Sequence, residues 1–289
     1  MELKPSASID ARLPPDMAER AEHVGAEKAA LDALTLLALA VLAGAFIAFG
    51  AMFSTIASAT VGAALPFGAE RVLAGIAFSL GLILVVVGGA ELFTGDNLMV
   101  MAWAGGRVTL GKMLRAWALV YVGNFIGAAA TAALVFLAGH YALGDGAIGA
   151  VALATADAKA ALQPFTAIVR GILANVLVCL AVWLSYGAGS ATDKVMVIVP
   201  PIAAFVAAGF EHSIANMYIL PFGLMIKYWA PASFWSLIGH GPGDYAALDW
   251  SALATNLVPV TIGNIIGGGF LVGAVYWFVY LRKRPLGGA

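Results

Sequence analysis

The chain contains a single cysteine, Cys179, deep in an apolar run, so no disulfide within the chain is possible. Charge is also scarce. Asp, Glu, Lys and Arg make up 11% of 289 residues, against about 25% in a soluble domain. The net charge of −1 gives no basic field of the kind that binds nucleic acid. There is no metal-ligand cluster, nucleophile motif or nucleotide loop, which argues against an enzyme and against a cofactor or metal. The first 32 residues lack the apolar stretch of a signal peptide and carry Glu2, Asp10, Asp16, Glu19, Glu22, Glu27 and Asp32. Residues 1–30 read as a cytoplasmic tail, with Pro14-Pro15-Asp16 opening an amphipathic helix that runs to about Asp32.

Apolar residues are what the chain has in excess: 62% are hydrophobic and the mean hydropathy is +0.94. A soluble chain of this length has no core large enough to hide that surface, so the lipid bilayer is the expected solvent. The 34 glycines suit close helix contacts within a membrane bundle. Residues 33–69, 116–144, 171–192 and 250–281 contain no Asp, Glu, Lys or Arg. Each exceeds the roughly 20 residues needed to cross a bilayer as a helix. Pro66-Phe67-Gly68 marks a turn at the end of the first.

Two further apolar regions are interrupted by polar residues. Residues 72–90 run into Glu91-Leu92-Phe93-Thr94-Gly95-Asp96-Asn97, and residues 195–210 run into Glu211-His212-Ser213-Ile214-Ala215-Asn216. Pro200, Pro201 and Pro221 disturb the second further. Counted as broken spans 2 and 5, they bring the total to six. A membrane domain is expected over 31–280, with a cytoplasmic tail at 281–289. With both termini inside the cell, 11 of the 15 Lys and Arg residues fall on the cytoplasmic side of the cell membrane. This count includes Lys4 and Arg284. Arg71, Lys159 and Lys227 fall outside, and Arg170 lies within span 4.

Three landmarks recur in the same order. Lys28-Ala-Ala-Leu31 precedes span 1 and Lys159-Ala-Ala-Leu162 precedes span 4. Glu91 and Glu211 break spans 2 and 5. Gly123-Asn124-Phe125-Ile126-Gly127 lies in span 3 and Gly263-Asn264-Ile265-Ile266-Gly267 in span 6. The repeats cover about 31–140 and 160–280. An odd number of spans per repeat inverts the second half in the membrane, a plan that places a transport site near the midplane where the broken helices meet. Lys28 and Lys159 then stand at opposite mouths and attract anions from both sides.

Polar groups at membrane depth are costly and point to function. His212 is the one histidine of four inside a span, placed to donate a hydrogen bond or a proton to an anion. Thr94 at the matching break is an uncharged donor, and both half-helix N-termini favour anions there. Glu91 and Glu211 would repel an anion. They are read as acceptors that tie the breaks to backbone donors, with Asn124 and Asn264 acting alike. Asn175 would brace a break or face the pathway. A pathway for small monovalent anions follows. The competing readings are a neutral-solute channel and a membrane enzyme or sensor without transport.

These residues resemble the formate/nitrite transporter family. Glu211 to Met217, including Asn216, is similar to the family's fifth-span signature and Gly89 to Thr94 to its second-span signature. Phe78 to Leu82 and Gly263 to Gly268 match as well. The resemblance, from about Lys28 to Tyr280, implies an aquaporin-like all-α fold, a homopentamer with one pore per protomer, and passage of formate, nitrite or hydrosulfide, with acetate or lactate further candidates. It implies apolar constrictions at Leu82 and Phe205, with Phe78 near the inner one and with Thr94 and His212 facing the anion between them. Lys159 and Asn175 would belong to the outer vestibule and Lys28 to the inner. Residues 218–222 look more like the formate branch than the nitrite branch. Asp96-Asn97 departs from the family, where neutral polar residues are expected. The paired Asn-Pro-Ala motifs of water channels are absent.

Overall fold

The computed structural model describes residues 11–59 and 65–283. Glu2, Lys4, Asp10 and Arg284, which entered the charge count above, lie outside the described residues, as do residues 284–289 of the C-terminal tail. Among the described residues the regular structure is helical throughout. Helix α1 (Pro14–Ala30) opens with proline in its first turn and turns Met17, Ala18, Ala21 and Gly25 inward. Span 1 is α2 (Ala33–Ser58), capped by Asp32, whose carboxylate accepts from Leu34 and Thr35 N–H.

Span 2 is split into α3 (Phe67–Gly88) and the shorter α4 (Phe93–Asp96). A 3₁₀ turn at Asn97–Met99 leads from α4 into α5 (Val100–Ala104). Phe67 and Gly68, read from sequence as part of a turn, already belong to α3, and Pro66 is its N-cap. Span 3 is α6 (Leu110–Leu137). The second half repeats the order with α7 (Ala147–Ala160), α8 (Pro164–Gly187) as span 4, and span 5 split into α9 (Ala191–Ala207) and α10 (Ser213–Trp229). After a short α11 (Ala232–Ile238), span 6 runs as α12 (Ala252–Ile265), a π-helical stretch (Ile266–Ala274) and α13 (Val275–Tyr280). Among the described residues five helical stretches are long and apolar enough to cross a membrane unbroken. Span 5 escapes that count because each of its halves has only 17 residues.

Each half has the same internal contacts. Span 1 packs on span 3 in the first half and span 4 on span 6 in the second, while α3 packs on α9 across the pseudo-symmetry. The helix that follows each break reaches into the other half: α10 packs on α6, and the turn after α4 packs on the π-helical stretch. Small residues set these crossings. A Cβ at Gly127 would run into the Val41 carbonyl oxygen, and one at Gly267 into the Ile172 carbonyl. Gly127→Val is therefore expected to cost about 1–3 kcal/mol by forcing spans 1 and 3 apart. A lowered melting temperature of the purified protein in detergent, with Gly127→Ala intermediate, is the check.

Both breaks are built alike. Gly89 and Gly209 take positive φ values of 77° and 71° and end the first half-helices. This left-handed conformation favours glycine. Leu92 and His212 follow in extended conformation as N-caps of the second half-helices. A break at this depth frees backbone groups that lipid cannot satisfy. Asn124 and Asn264 satisfy them in the same way. Asn124 Oδ1 accepts from Phe93 N–H at 2.9 Å, and its Nδ2 donates to the carbonyls of Ala40 at 2.7 Å and Glu91 at 2.9 Å. Asn264 Oδ1 accepts from Ser213 N–H at 2.9 Å, and its Nδ2 donates to the carbonyls of Gly171 at 2.8 Å and Glu211 at 3.0 Å.

Candidate functional site

At the centre Thr94 of α4 meets His212 at the start of α10, with Thr94 Oγ1 2.9 Å from His212 Nε2. Thr94 is fully buried and His212 is 2% exposed. The other ring nitrogen decides the chemistry. Nδ1 of His212 accepts from the Ala215 backbone N–H at 3.0 Å, capping α10. A nitrogen that accepts carries no proton, so the neutral ring must carry its hydrogen on Nε2. Nε2 then donates to Thr94 Oγ1, and the threonine hydroxyl keeps its own hydrogen for another acceptor. Protonating the ring would place a hydrogen on Nδ1 against the Ala215 N–H and put a cation at a helix N-terminus, both unfavourable.

Two cavities flank this pair, and the residues lining one do not line the other. One, of about 440 Å³, is lined by Lys28, Leu82, Glu91 and Asp96, with Arg12, Arg20 and Lys194 also contributing. The second, of about 410 Å³, is lined by Phe78, Lys159, Phe205, Glu211 and His212, with Arg71 and Arg170 also contributing. Leu82 is 1% exposed and Phe205 2%, so each puts a buried apolar side chain on the wall of its cavity. Phe78 stands one helical turn before Leu82 on α3 but lines the other cavity. Its ring meets Phe205 edge-on at 5.4 Å in the cavity that holds His212.

The readings of five side chains change once partners are visible. Lys28 is not a free cation, since Nζ lies 2.7 Å from Glu91 Oε2 and 2.6 Å from Asp96 Oδ1. Burial alone would push its pKa down, but the acidic side chains of Asp96 and Glu91 beside it more than offset that and hold it above the usual lysine range. Lys159 is likewise paired, 2.8 Å from Glu211 Oε1. Glu91 and Glu211 thus use their side chains to hold lysines. The backbone donors of the breaks go to the asparagines described above. Asn175, expected in a vestibule, lines neither cavity and is fully buried. Its Nδ2 lies within hydrogen-bond reach of Asn97 Oδ1 at 2.8 Å and of the carbonyls of Asn264 at 2.7 Å and Thr94 at 3.2 Å. It ties the two halves together behind Thr94.

Other partners gave weaker signals in the sequence. Asn216 Nδ2 donates to Glu211 Oε2 at 2.7 Å, and Asn256 Nδ2 donates to the Lys159 carbonyl at 3.0 Å. Asn256 is a polar residue in the charge-free run 250–281, the same kind of signal that singled out Asn264. Trp117 Nε1 donates to the Asp96 carbonyl at 2.9 Å. Arg71 Nε donates to the Ala207 carbonyl at 3.2 Å, closing the end of α9. Among the described residues no three His, Cys, Asp or Glu side chains gather where they could hold a metal ion.

Two half-helices that begin at one buried polar pair, between two charged cavities and within an inverted repeat, define a membrane transport protein. The chain belongs to the formate/nitrite transporter family, whose sequence profile matches residues 15–278. It is 45% identical to the formate channel FocA of Escherichia coli (strain K12) over 283 residues, 98% of this chain and 99% of that protein. Identity to the formate channel FocA of Haemophilus influenzae is 40% over 261 residues, 90% and 92% of the two chains. Among solved structures, a pentameric formate channel with formate bound is similar at a TM-score of 0.82 and 41% identity, covering 86% of this chain and 98% of that one.

Proposed function

We propose that this protein is a formate channel that passes the anion together with a proton, as formic acid, through the cell membrane. The observation that carries the reading is the Thr94–His212 bond with His212 Nδ1 already committed to Ala215. It leaves one hydroxyl hydrogen for an anion at the buried point between the cavities. A bare anion cannot cross Leu82 and Phe205 cheaply, because desolvating an unpaired charge costs many kcal/mol. Its protonated acid can cross. The hydroxyl aligns the carboxylate, and the apolar surroundings raise its proton affinity. His212, neutral in this arrangement, orients Thr94.

The names of the similar proteins favour formate over nitrite or hydrosulfide, and the pentameric neighbour suggests a pentamer with one pore per protomer. The cytoplasmic side would be the Lys28 cavity, in keeping with the distribution of Lys and Arg.

His212→Asn tests the role of the pair. Asparagine caps a helix as well as histidine does here, but its amide ends short of Thr94. Wild-type formate uptake into liposomes is expected to rise as pH falls. The variant is expected to lose about tenfold at neutral pH, the upper end of what one neutral hydrogen bond is worth, and less in acid, where formic acid is already present. Equal uptake by both proteins at neutral pH would overturn this role for the pair. Uptake of nitrite or hydrosulfide without formate would keep the pore and overturn the substrate.

A further inference from the structure

The repeat sets a lysine against a glutamate in each cavity, and the two clusters differ in one residue. Lys159 faces one carboxylate, Glu211, and the residue five positions after that glutamate is the neutral Asn216. Lys28 faces Glu91, and the residue five positions after it is Asp96, a second acid on the same ammonium. At Lys159 one carboxylate balances one ammonium, whereas the cluster at Lys28 holds one carboxylate in excess of its ammonium. Asp96 is 2% exposed. Its Oδ1 takes the lysine at 2.6 Å, but its Oδ2 is buried and has no hydrogen-bond partner among the described residues.

The groups that face Asp96 do not supply the missing charge. Lys28 of α1 is shared with Glu91, whose own carboxyl adds like charge beside Asp96, and α8 presents Tyr186 and the thiol of Cys179. From α6 comes Trp117, which bonds the Asp96 backbone, and the π-helical stretch behind the turn presents glycine. Arg12, Arg20, Glu27 and Lys194 border the same cavity, but none of them makes an ion pair with Asp96 among the described residues. An excess buried carboxylate is several kcal/mol too costly and takes up a proton instead.

We propose that Asp96 rests as the neutral acid, its proton on Oδ2, and is the residue that hands a proton to an anion arriving from the Lys28 cavity. This rests on the reading of the protein as a formate channel with proton passage. The neutral acid still accepts from Lys28 through Oδ1, and the site then matches its Asn216 counterpart in charge. When a carboxylate anion arrives, the Asp96 O–H bond breaks and an O–H bond forms on the anion. The acid moves past Leu82 toward Thr94, while the Asp96 carboxylate is left beside Lys28. Water in the cavity returns a proton to Asp96 and is left as hydroxide, which the bulk buffer neutralises. The second acid, out of place as an attractor of anions, thereby has a use: it extends passage to pH values where almost no formic acid exists in solution.

Asp96→Asn, which copies the other half of the repeat, separates this from a structural role. In protein free of formate at about pH 7, the infrared spectrum of the wild type should contain the stretch of a buried protonated carboxyl that is absent in Asp96→Asn and restored in Asp96→Glu. In liposomes the variant should keep acid-side uptake while its pH midpoint falls by about one unit, with Asp96→Glu close to wild type. A wild type without that carboxyl band, or superimposable pH profiles for the wild type and the folded Asp96→Asn protein, overturns the proposal and leaves formate passage standing. A wild type that shows the band but moves no formate at any pH overturns the transport reading instead.

Discussion

Asn264→Ala is expected to be among the most destabilising single substitutions in the chain. The side chain serves three backbone groups at the break of span 5, the Ser213 N–H and the carbonyls of Gly171 and Glu211, all within 3.0 Å. Alanine leaves the Ser213 N–H and the Glu211 carbonyl without a partner at a depth where lipid cannot supply one, while the Gly171 carbonyl keeps its bond within α8. Each unpaired buried group costs about 1–3 kcal/mol, so a loss on the order of 4 kcal/mol follows. Asn264→Asp makes the comparison sharper. It keeps the acceptor for Ser213 but turns an oxygen toward two carbonyls, so it should recover only a small part of the loss. Thermal unfolding of the purified protein in detergent, followed by circular dichroism, measures both. A melting temperature for Asn264→Ala within the range of lipid-facing substitutions would show that the break does not depend on this residue.

Thr94→Val should have the largest effect on transport with the least effect on shape. Valine fills the same volume at a fully buried position but offers neither the acceptor for His212 Nε2–H nor the hydroxyl hydrogen for an anion. A hydrogen bond to a charged group is worth about 1.5–3 kcal/mol. At the upper end of that range the loss is on the order of a hundredfold in flux. Thr94→Ser should retain most of the activity. Formate uptake by the valine variant at the wild-type rate would remove the hydroxyl from the mechanism. Because His212 keeps its bond to Ala215 in the variant, any loss is assigned to the missing hydroxyl rather than to an unravelled α10.

The sequence made the plan of the fold legible because its signals are local. Long charge-free runs reveal spans 1, 3, 4 and 6 whatever their neighbours do. The acids and prolines that interrupt the other two regions reveal where a helix must stop. The motif Gly-Asn-x-x-Gly revealed the inverted repeat because a crossing of two helices at carbonyl distance leaves room for little except glycine. Partners were much less legible. Glu91 and Glu211 were placed at the breaks from their depth, but their bonds run to Lys28 and Lys159, more than 50 positions away in each case. No periodicity encodes such a pairing. Asn175 was open to two readings because an amide at that depth can face a pore or hold backbone, and only the position of the Asn264 carbonyl separates them. Phe78 lies on the same helix as Leu82, one turn away, and that turn is enough to put it in the other cavity. Helix α7 went unread because its 14 residues are too short to announce a span.

The central pair also bears on how such a protein came to exist. In the register of the breaks, His212 corresponds to Leu92 and Thr94 to Ile214, so each half contributes one polar group where its sister has an apolar one. Two identical halves facing each other across the same axis would have brought together two threonines with two leucines, or two histidines with two isoleucines. Neither arrangement joins a ring N–H to a hydroxyl that keeps its own hydrogen. The pair therefore requires the copies to have diverged, and fusion of the two halves into one chain is what allows a single ancestral gene, once duplicated, to specialise its copies in different directions.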